Sequence, residues 1–94
     1  MNKIKEINRV IEDYFNQNNS RLAIMAKDLM ANFIESGIFE KDHRNGLPIR
    51  NVLRDLDRKE QLYKIPSTFP VRRIVNTNWI FINLKSVLKD AGFH

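Results

Sequence analysis

The chain has 94 residues, 43% of them hydrophobic and 29% charged, which is the length and composition of one globular domain, residues 1–94. It contains no cysteine, so disulfides, thiolate metal sites and thiol nucleophiles are excluded. The formal net charge of +5 points to an acidic partner. No stretch reaches the roughly 18 apolar residues of a membrane span. The N-terminus lacks the apolar core of a secretory signal, so we expect a cytoplasmic protein.

The basic excess is unevenly distributed along the chain. Residues 1–40 carry five basic and six acidic side chains, whereas residues 41–94 carry eleven basic and five acidic ones. Such asymmetry between two halves indicates a binding face in the basic half, although solvated Lys and Arg on ordinary helices give the same count.

Two helices are predicted in the first half. Residues 3–17 show apolar side chains at steps of three and four, which is typical of an amphipathic helix. A polar break follows, and Asn19 or Ser20 is a suitable N-cap for a second helix that reaches about Ser36, with Gly37 just beyond its end. The expected buried stripe of this second helix consists of Leu22, Met25, Ala26, Leu29, Phe33 and Ile34.

A third helix is predicted over residues 48–60. The dipeptide Asn45-Gly46 is a strong turn signal, and Pro48 suits the first turn of a helix because its missing N–H is not needed there. The expected apolar face consists of Ile49, Val52, Leu53 and Leu56.

The C-terminal third has the pattern of short strands. Residues 62–65 are strand-like and are stopped by Pro66, and residues 67–70 are predicted to form a loop. Residues 71–75 are predicted to form a brief extended piece, and residues 79–82 give the clearest strand because they are aromatic and β-branched. Asn83 can cap a last helix that reaches about Ala91, with Gly92 at its end.

The predicted order, three helices followed by a β-hairpin, resembles the winged helix-turn-helix superfamily. The resemblance covers about residues 4–82 and includes the run of residues 46–56, which looks like the start of a winged-helix third helix. Residues 63–66 and 79–82 look like the two wing strands. The resemblance implies an α+β fold with a three-helix core, a C-terminal hairpin wing and a short terminal helix. The connection formed by residues 37–46 is longer than the tight turn of a plain helix-turn-helix.

The third helix carries a basic stripe. Arg50, Arg54 and Arg58 recur at every fourth position, on the side away from the apolar face, with Asn51 beside them. Arginine bonds guanine edges or phosphates, and asparagine bonds adenine, so the stripe suits the major groove of DNA. The alternative is a solvated face, in which Asp55 and Asp57 form surface ion pairs with the basic side chains and repel phosphate.

Further basic residues are predicted around the wing. Arg72 and Arg73 lie between the two predicted strands, Lys64 lies on the first of them, and Arg44 precedes the third helix. A basic wing can rest on phosphates or enter a minor groove. The alternative is a charged loop that protects the edge of a small sheet.

The sequence carries no catalytic constellation, no metal ligand set and no cofactor motif. Its two histidines, His43 and His94, have no second ligand at metal-binding spacing, and no glycine-rich phosphate loop exists. Trp79 and Phe81, with Phe69, could stack bases, but alternating aromatics in a strand favour burial in the core.

These patterns lead to the hypothesis of a non-enzymatic double-stranded DNA-binding protein, such as a small transcriptional regulator. The predicted helix 48–60 would meet the major groove and the wing would meet the backbone. The alternative is a protein-interaction or dimerisation module of the same fold that does not bind DNA. A homodimer is an expected arrangement if the 94 residues do not bury all the apolar side chains near the termini, namely Ile4, Phe15, Leu88 and Phe93.

Overall fold

The computed structural model describes residues 2–90, with side chains through Leu88. In chain order, these residues form α1 (Lys3–Gln17), β1 (Ala23–Met25), a 3₁₀ turn (Ala26–Leu29), α2 (Met30–Glu35), α3 (Leu47–Arg58), a second 3₁₀ turn (Leu62–Lys64), β2 (Thr68–Arg72), β3 (Thr77–Ile82) and α4 (Leu84–Asp90). The three strands form one antiparallel sheet in the order β1-β3-β2. The expected α+β class is therefore confirmed.

Helix α1 forms as predicted. The Asn2 side chain caps its first turn, because its Oδ1 accepts the backbone N–H of Lys5 at 3.1 Å. The buried face consists of Ile7, Val10, Ile11 and Phe15. Of the apolar residues near the termini on which the homodimer expectation depends, Phe15 is buried, Ile4 is half-buried and Leu88 is exposed. Phe93 lies outside the described residues.

The prediction of one continuous second helix is wrong in its first half. Residues 23–25 form a strand instead, because they pair with β3, with Ile24 opposite Phe81. Leu22, which was expected in the buried stripe, is 52% exposed. Strand pairing over a large sequence separation supplies backbone hydrogen bonds that a local apolar pattern does not reveal.

The end of α2 lies where Gly37 predicts it. Gly37 has φ +80° and its N–H donates to the carbonyl of Ile34 at 2.9 Å. The N–H of Ile38 donates to the carbonyl of Phe33 at 2.9 Å, which closes the left-handed cap typical of glycine after a helix.

Helix α3 ends two residues earlier than predicted. Glu60 adopts a left-handed conformation with φ +59°, and the N–H of Gln61 donates to the carbonyl of Leu56 at 2.8 Å. This backbone turn terminates the helix at Arg58 although no glycine is present.

The first wing strand was predicted too early in the chain. Residues 62–64 form a 3₁₀ turn, and the strand that pairs with β3 is β2, which includes part of the predicted loop 67–70. Ile65 belongs to the core rather than to a strand, since it is fully buried, and Leu62 packs partly against the same core. Pro70 is tolerated within β2 because β2 lies at the edge of the sheet, where a missing donor costs little.

Strand β3 is the centre of the sheet and carries its core face. Trp79 and Phe81 are buried, as their alternation predicts, and the Phe81 ring meets that of Phe33 edge to face with centroids 6.3 Å apart. Asn83, at the end of β3, is buried and its Nδ2 donates to the carbonyl of Arg21 at 3.1 Å. Its Oδ1 accepts the N–H of Ser86, so Asn83 caps α4 as expected.

Gly46 packs directly on the chain segment that holds Lys27. Gly46 has φ +91°, and a Cβ added there would lie 2.5 Å from Cβ of Lys27 and 2.8 Å from its Cα. Gly37 offers a matched comparison because it has a similar φ and nothing within 4 Å of such a Cβ.

We therefore predict unequal effects of alanine at these two positions. Gly37→Ala should lower the free energy of unfolding by about 1–2 kcal/mol through left-handed strain alone. Gly46→Ala should lose about 1–3 kcal/mol more, because the start of α3 must move away from Lys27. Urea denaturation measures both, and equal losses would show that the close approach of Gly46 to Lys27 is absent.

Candidate nucleic-acid interface

Helix α3 is oriented by its aliphatic face. Ile49 and Leu53 are fully buried and Leu56 is nearly so, which directs the opposite face of the helix to solvent. That opposite face carries Arg54 and Arg58, and both are exposed. Two of the three arginines of the basic stripe predicted from spacing thus lie on an outer face, and Arg50 is half-buried.

The turn before α3 is a short left-handed segment. Arg44, Asn45 and Gly46 have φ values of 49°, 54° and 91°. The N–H of Gly46 donates to the Asp42 carboxylate at 2.8 Å, which satisfies one backbone donor ahead of the helix. The Arg50 guanidinium donates to the carbonyl of Arg44, so the turn and the first turn of α3 hold each other in place.

An open groove of about 810 Å³ separates α3 and this turn from the end of the hairpin. We call it the α3–hairpin groove. It is lined by Met25, Lys27, Arg44, Asn45, Arg50, Arg54, Asp57, Val75, Asn76, Thr77, Asn78 and Trp79. Residues from four parts of the chain therefore meet at one concave surface.

The charge of the α3–hairpin groove is predominantly positive. Lys27, Arg44, Arg50 and Arg54 contribute cations, and Asp57 contributes the one carboxylate among the described lining residues. Amide side chains, which both donate and accept hydrogen bonds, add neutral polar groups from the turn and from the hairpin.

The Asp57 carboxylate is neutralised by the hairpin. Arg72 of β2 bonds it in a bidentate manner, with Nη1 to Oδ2 at 3.0 Å and Nη2 to Oδ1 at 2.8 Å. The hydrogen bonds from Arg72 hold the pKa of the Asp57 carboxyl below its ordinary value, and the same contact raises the pKa of Arg72. The ion pair also connects α3 to β2.

Asp55, the other acidic residue of α3, forms an ion pair with the residue that follows the helix. Nζ of Lys59 lies 3.1 Å from Oδ2 of Asp55, one turn away. Asp55 thus forms a local surface ion pair, whereas Asp57 pairs across to the hairpin. Neither acid therefore leaves an unmatched negative charge on α3.

The structure brings together three of the eight sequence-predicted site residues in the groove, namely Arg44, Arg50 and Arg54. Asn51 lies beside them, since its Oδ1 accepts Nη1 of Arg54 at 3.4 Å, and Arg58 lies further along the same exposed side of α3.

Of the three remaining predicted residues, Arg72 and Lys64 differ from expectation and Arg73 does not. Arg72 lies in β2 and is engaged by Asp57, so it is not a free wing cation. Arg73 is exposed beside the hairpin turn, as predicted. The placement of Lys64 on a wing strand is wrong, because Lys64 lies in a 3₁₀ turn. Its backbone carbonyl accepts a hydrogen bond from Nδ2 of Asn8 on α1 at 2.8 Å.

Sequence reasoning missed Lys27 as a groove residue. It lies in the slightly acidic half of the chain, within a segment that was predicted to be helical, and no local pattern distinguishes it. Only its packing against Gly46 places it at the groove. Asn76 and Asn78 line the groove as well, and their position there depends on the register of β2 against β3.

No family model, curated protein or solved structure matches this chain. Within residues 2–90, no helix is long and apolar enough to cross a membrane. In that same part of the chain, no three His, Cys, Asp or Glu side chains are grouped so that they could hold a metal ion.

The Asp57–Arg72 pair predicts a pH-dependent contribution to stability. A carboxyl whose pKa is lowered by folding stabilises the fold above its unfolded pKa, about 3.9, and loses that contribution as the pH falls through the lower folded value. The urea midpoint of Arg72→Gln should therefore lie below that of the wild type at pH 6, and the two midpoints should converge in acid.

An NMR titration of the Asp57 carboxyl gives the direct readout. Arg72→Gln should raise its pKa towards about 3.9. Arg73→Gln removes the same charge one position along and should leave the titration near that of the wild type. Equal effects of both variants would contradict a specific pair.

Proposed function

We propose that this chain is a winged-helix protein that binds double-stranded DNA and acts as a small transcriptional regulator, by binding rather than by catalysis. The order α1, β1, α2, α3, β2, β3 and the sheet order β1-β3-β2 support the winged-helix assignment. In that assignment α3 is the recognition helix and the β2–β3 hairpin is the wing.

The dimensions of α3 support a role in the major groove. An α-helix with its side chains is about 10–12 Å across, and the major groove is about 12 Å wide. The 12 residues of α3 would extend about 18 Å along it. Arg50 and Arg54 would meet guanine edges or phosphates, and Asn51 is placed to bond adenine.

The flanking cations support contacts with the DNA backbone. Arg44 and Lys27 lie beside the N-terminal end of α3, and Arg73 lies at the hairpin turn. Phosphate contacts of this kind position a protein on the duplex and supply most of the non-specific affinity.

One observation carries the proposal more than any other: the charge pattern of the α3–hairpin groove. Four cations line it, and the carboxylate of Asp57 is already bonded by Arg72. The sequence left open whether the acids of α3 would repel phosphate. Their pairing with Arg72 and Lys59 offsets the negative charge, which lowers the repulsion of phosphate and supports the proposal.

We predict that Arg50→Gln combined with Arg54→Gln weakens binding to a random-sequence duplex. Each phosphate contact contributes about 0.9 to the slope of log K against log salt concentration, so two lost contacts should reduce the slope by about 2. Fluorescence anisotropy across a salt series measures both affinity and slope.

A charge-matched control is available away from the groove. Lys5→Gln with Lys85→Gln removes two exposed cations that do not line it, and this variant should retain nearly the wild-type salt slope. Equal weakening by the two double variants would contradict α3 as the contact surface. A folded wild-type protein with no duplex affinity at low salt would contradict DNA binding and favour an interaction module.

A further inference from the structure

The hairpin ends in two aliphatic side chains that are almost fully exposed to solvent. Ile74 and Val75 are 105% and 86% exposed, the highest values among the large hydrophobic residues that the structure describes. The N–H of Arg73 donates to the carbonyl of Asn76 at 2.8 Å, which closes the hairpin around them. Ile74 and Val75 are therefore the two central residues of the turn.

Local turn chemistry does not account for these residues. Two-residue hairpin turns favour Gly, Asn and Asp, because the preferred turn types need a positive φ. Neither Ile74 nor Val75 has a positive φ, so this turn is not one of the preferred types, and it carries none of the residues that those types favour. Two adjacent aliphatic side chains that are almost fully exposed form an apolar patch, which points to a binding role.

The turn is continuous with the basic surface. Val75 and Asn76 line the α3–hairpin groove together with Arg44, Arg50 and Arg54. Arg73 flanks the turn on the other side and is exposed. An apolar tip bordered by cations fits a ligand with anionic edges and an apolar interior, and stacked bases between two phosphate backbones have that chemistry.

Building on the DNA binding proposed above, we propose that Ile74 and Val75 form an apolar wedge. The wedge enters the minor groove next to the α3 site, partly unstacks one base step and bends the duplex. Apolar wedges of this kind bend DNA by about 20–90° towards the major groove. Paired strands lie about 4.8 Å apart and the minor groove is about 6 Å wide, so the tip enters rather than the whole hairpin.

The base-pair step that unstacks most easily is the preferred target of the wedge. Pyrimidine–purine steps, TA above all, unstack and kink more readily than A-tracts, which are stiff. The wedge therefore predicts tighter binding to a duplex with a central TA step than to an A-tract duplex of equal length, although no residue of the tip reads a base edge.

The test uses the full chain and a duplex of about 20 base pairs with 2-aminopurine at a central TA step and a dye at each end. Wild-type protein should raise the 2-aminopurine fluorescence and increase energy transfer between the ends. Ile74→Ser with Val75→Ser should bind with an unchanged salt slope and an affinity within about tenfold, and should give neither signal.

Two further variants make the test specific. Ile74→Asn with Val75→Gly supplies favoured turn residues, so it keeps the hairpin foldable while removing the wedge. Leu22→Ser with Tyr63→Ser removes two exposed apolar side chains elsewhere and should leave both signals intact.

The outcomes separate the wedge from the DNA binding on which it rests. Duplex binding by the wild type with no change in either signal, or with signals that persist in both tip variants, would overturn the wedge alone. Absence of duplex binding by the wild type would overturn both proposals. Tip-dependent binding to phosphatidylcholine–phosphatidylserine vesicles, without base unstacking, would replace the wedge with a membrane contact.

Discussion

The burial of Ile49 and Leu53 determines which face of α3 is exposed to solvent. A helix advances about 100° per residue, so two fully buried side chains four positions apart set its rotation about its axis. That rotation places Arg54 and Arg58 on the outer face of the helix. The same hydrophobic contact that contributes to the core therefore creates the basic surface, and any change that rotates α3 would disperse it.

The hairpin completes the surface because β3 is the central strand. β3 pairs with both β1 and β2, and the end of the hairpin lines the α3–hairpin groove together with α3. The Asp57–Arg72 pair joins the two elements and offsets the one carboxylate among the lining residues that the structure describes. Lys27 and Arg44 then add their charge to a concave surface whose acids are already matched.

The sequence predicted those parts of the fold that depend on local periodicity. Helix α1, the buried face of α3 and the core role of Trp79 all followed from spacing alone. β1 could not be placed, because its partner is distant in sequence and its segment fits a helical pattern equally well. β2 was placed too early in the chain, because residues 62–65 have a strand-like pattern and Pro70 argued for a loop at residues 67–70. In the groove, Arg50 and Arg54 were foreseeable from their spacing, whereas Lys27 depends on a contact with a glycine far along the chain.

The central claim is that α3 and the hairpin form one DNA-binding surface. Titration of labelled protein with duplex DNA, followed by amide NMR shifts, tests this most directly. The account predicts shifts concentrated in residues 44–58 and 72–79 and at Lys27, with α1 and α4 nearly unaffected. Shifts centred on α1 or α4, or no shifts at low salt, would contradict it.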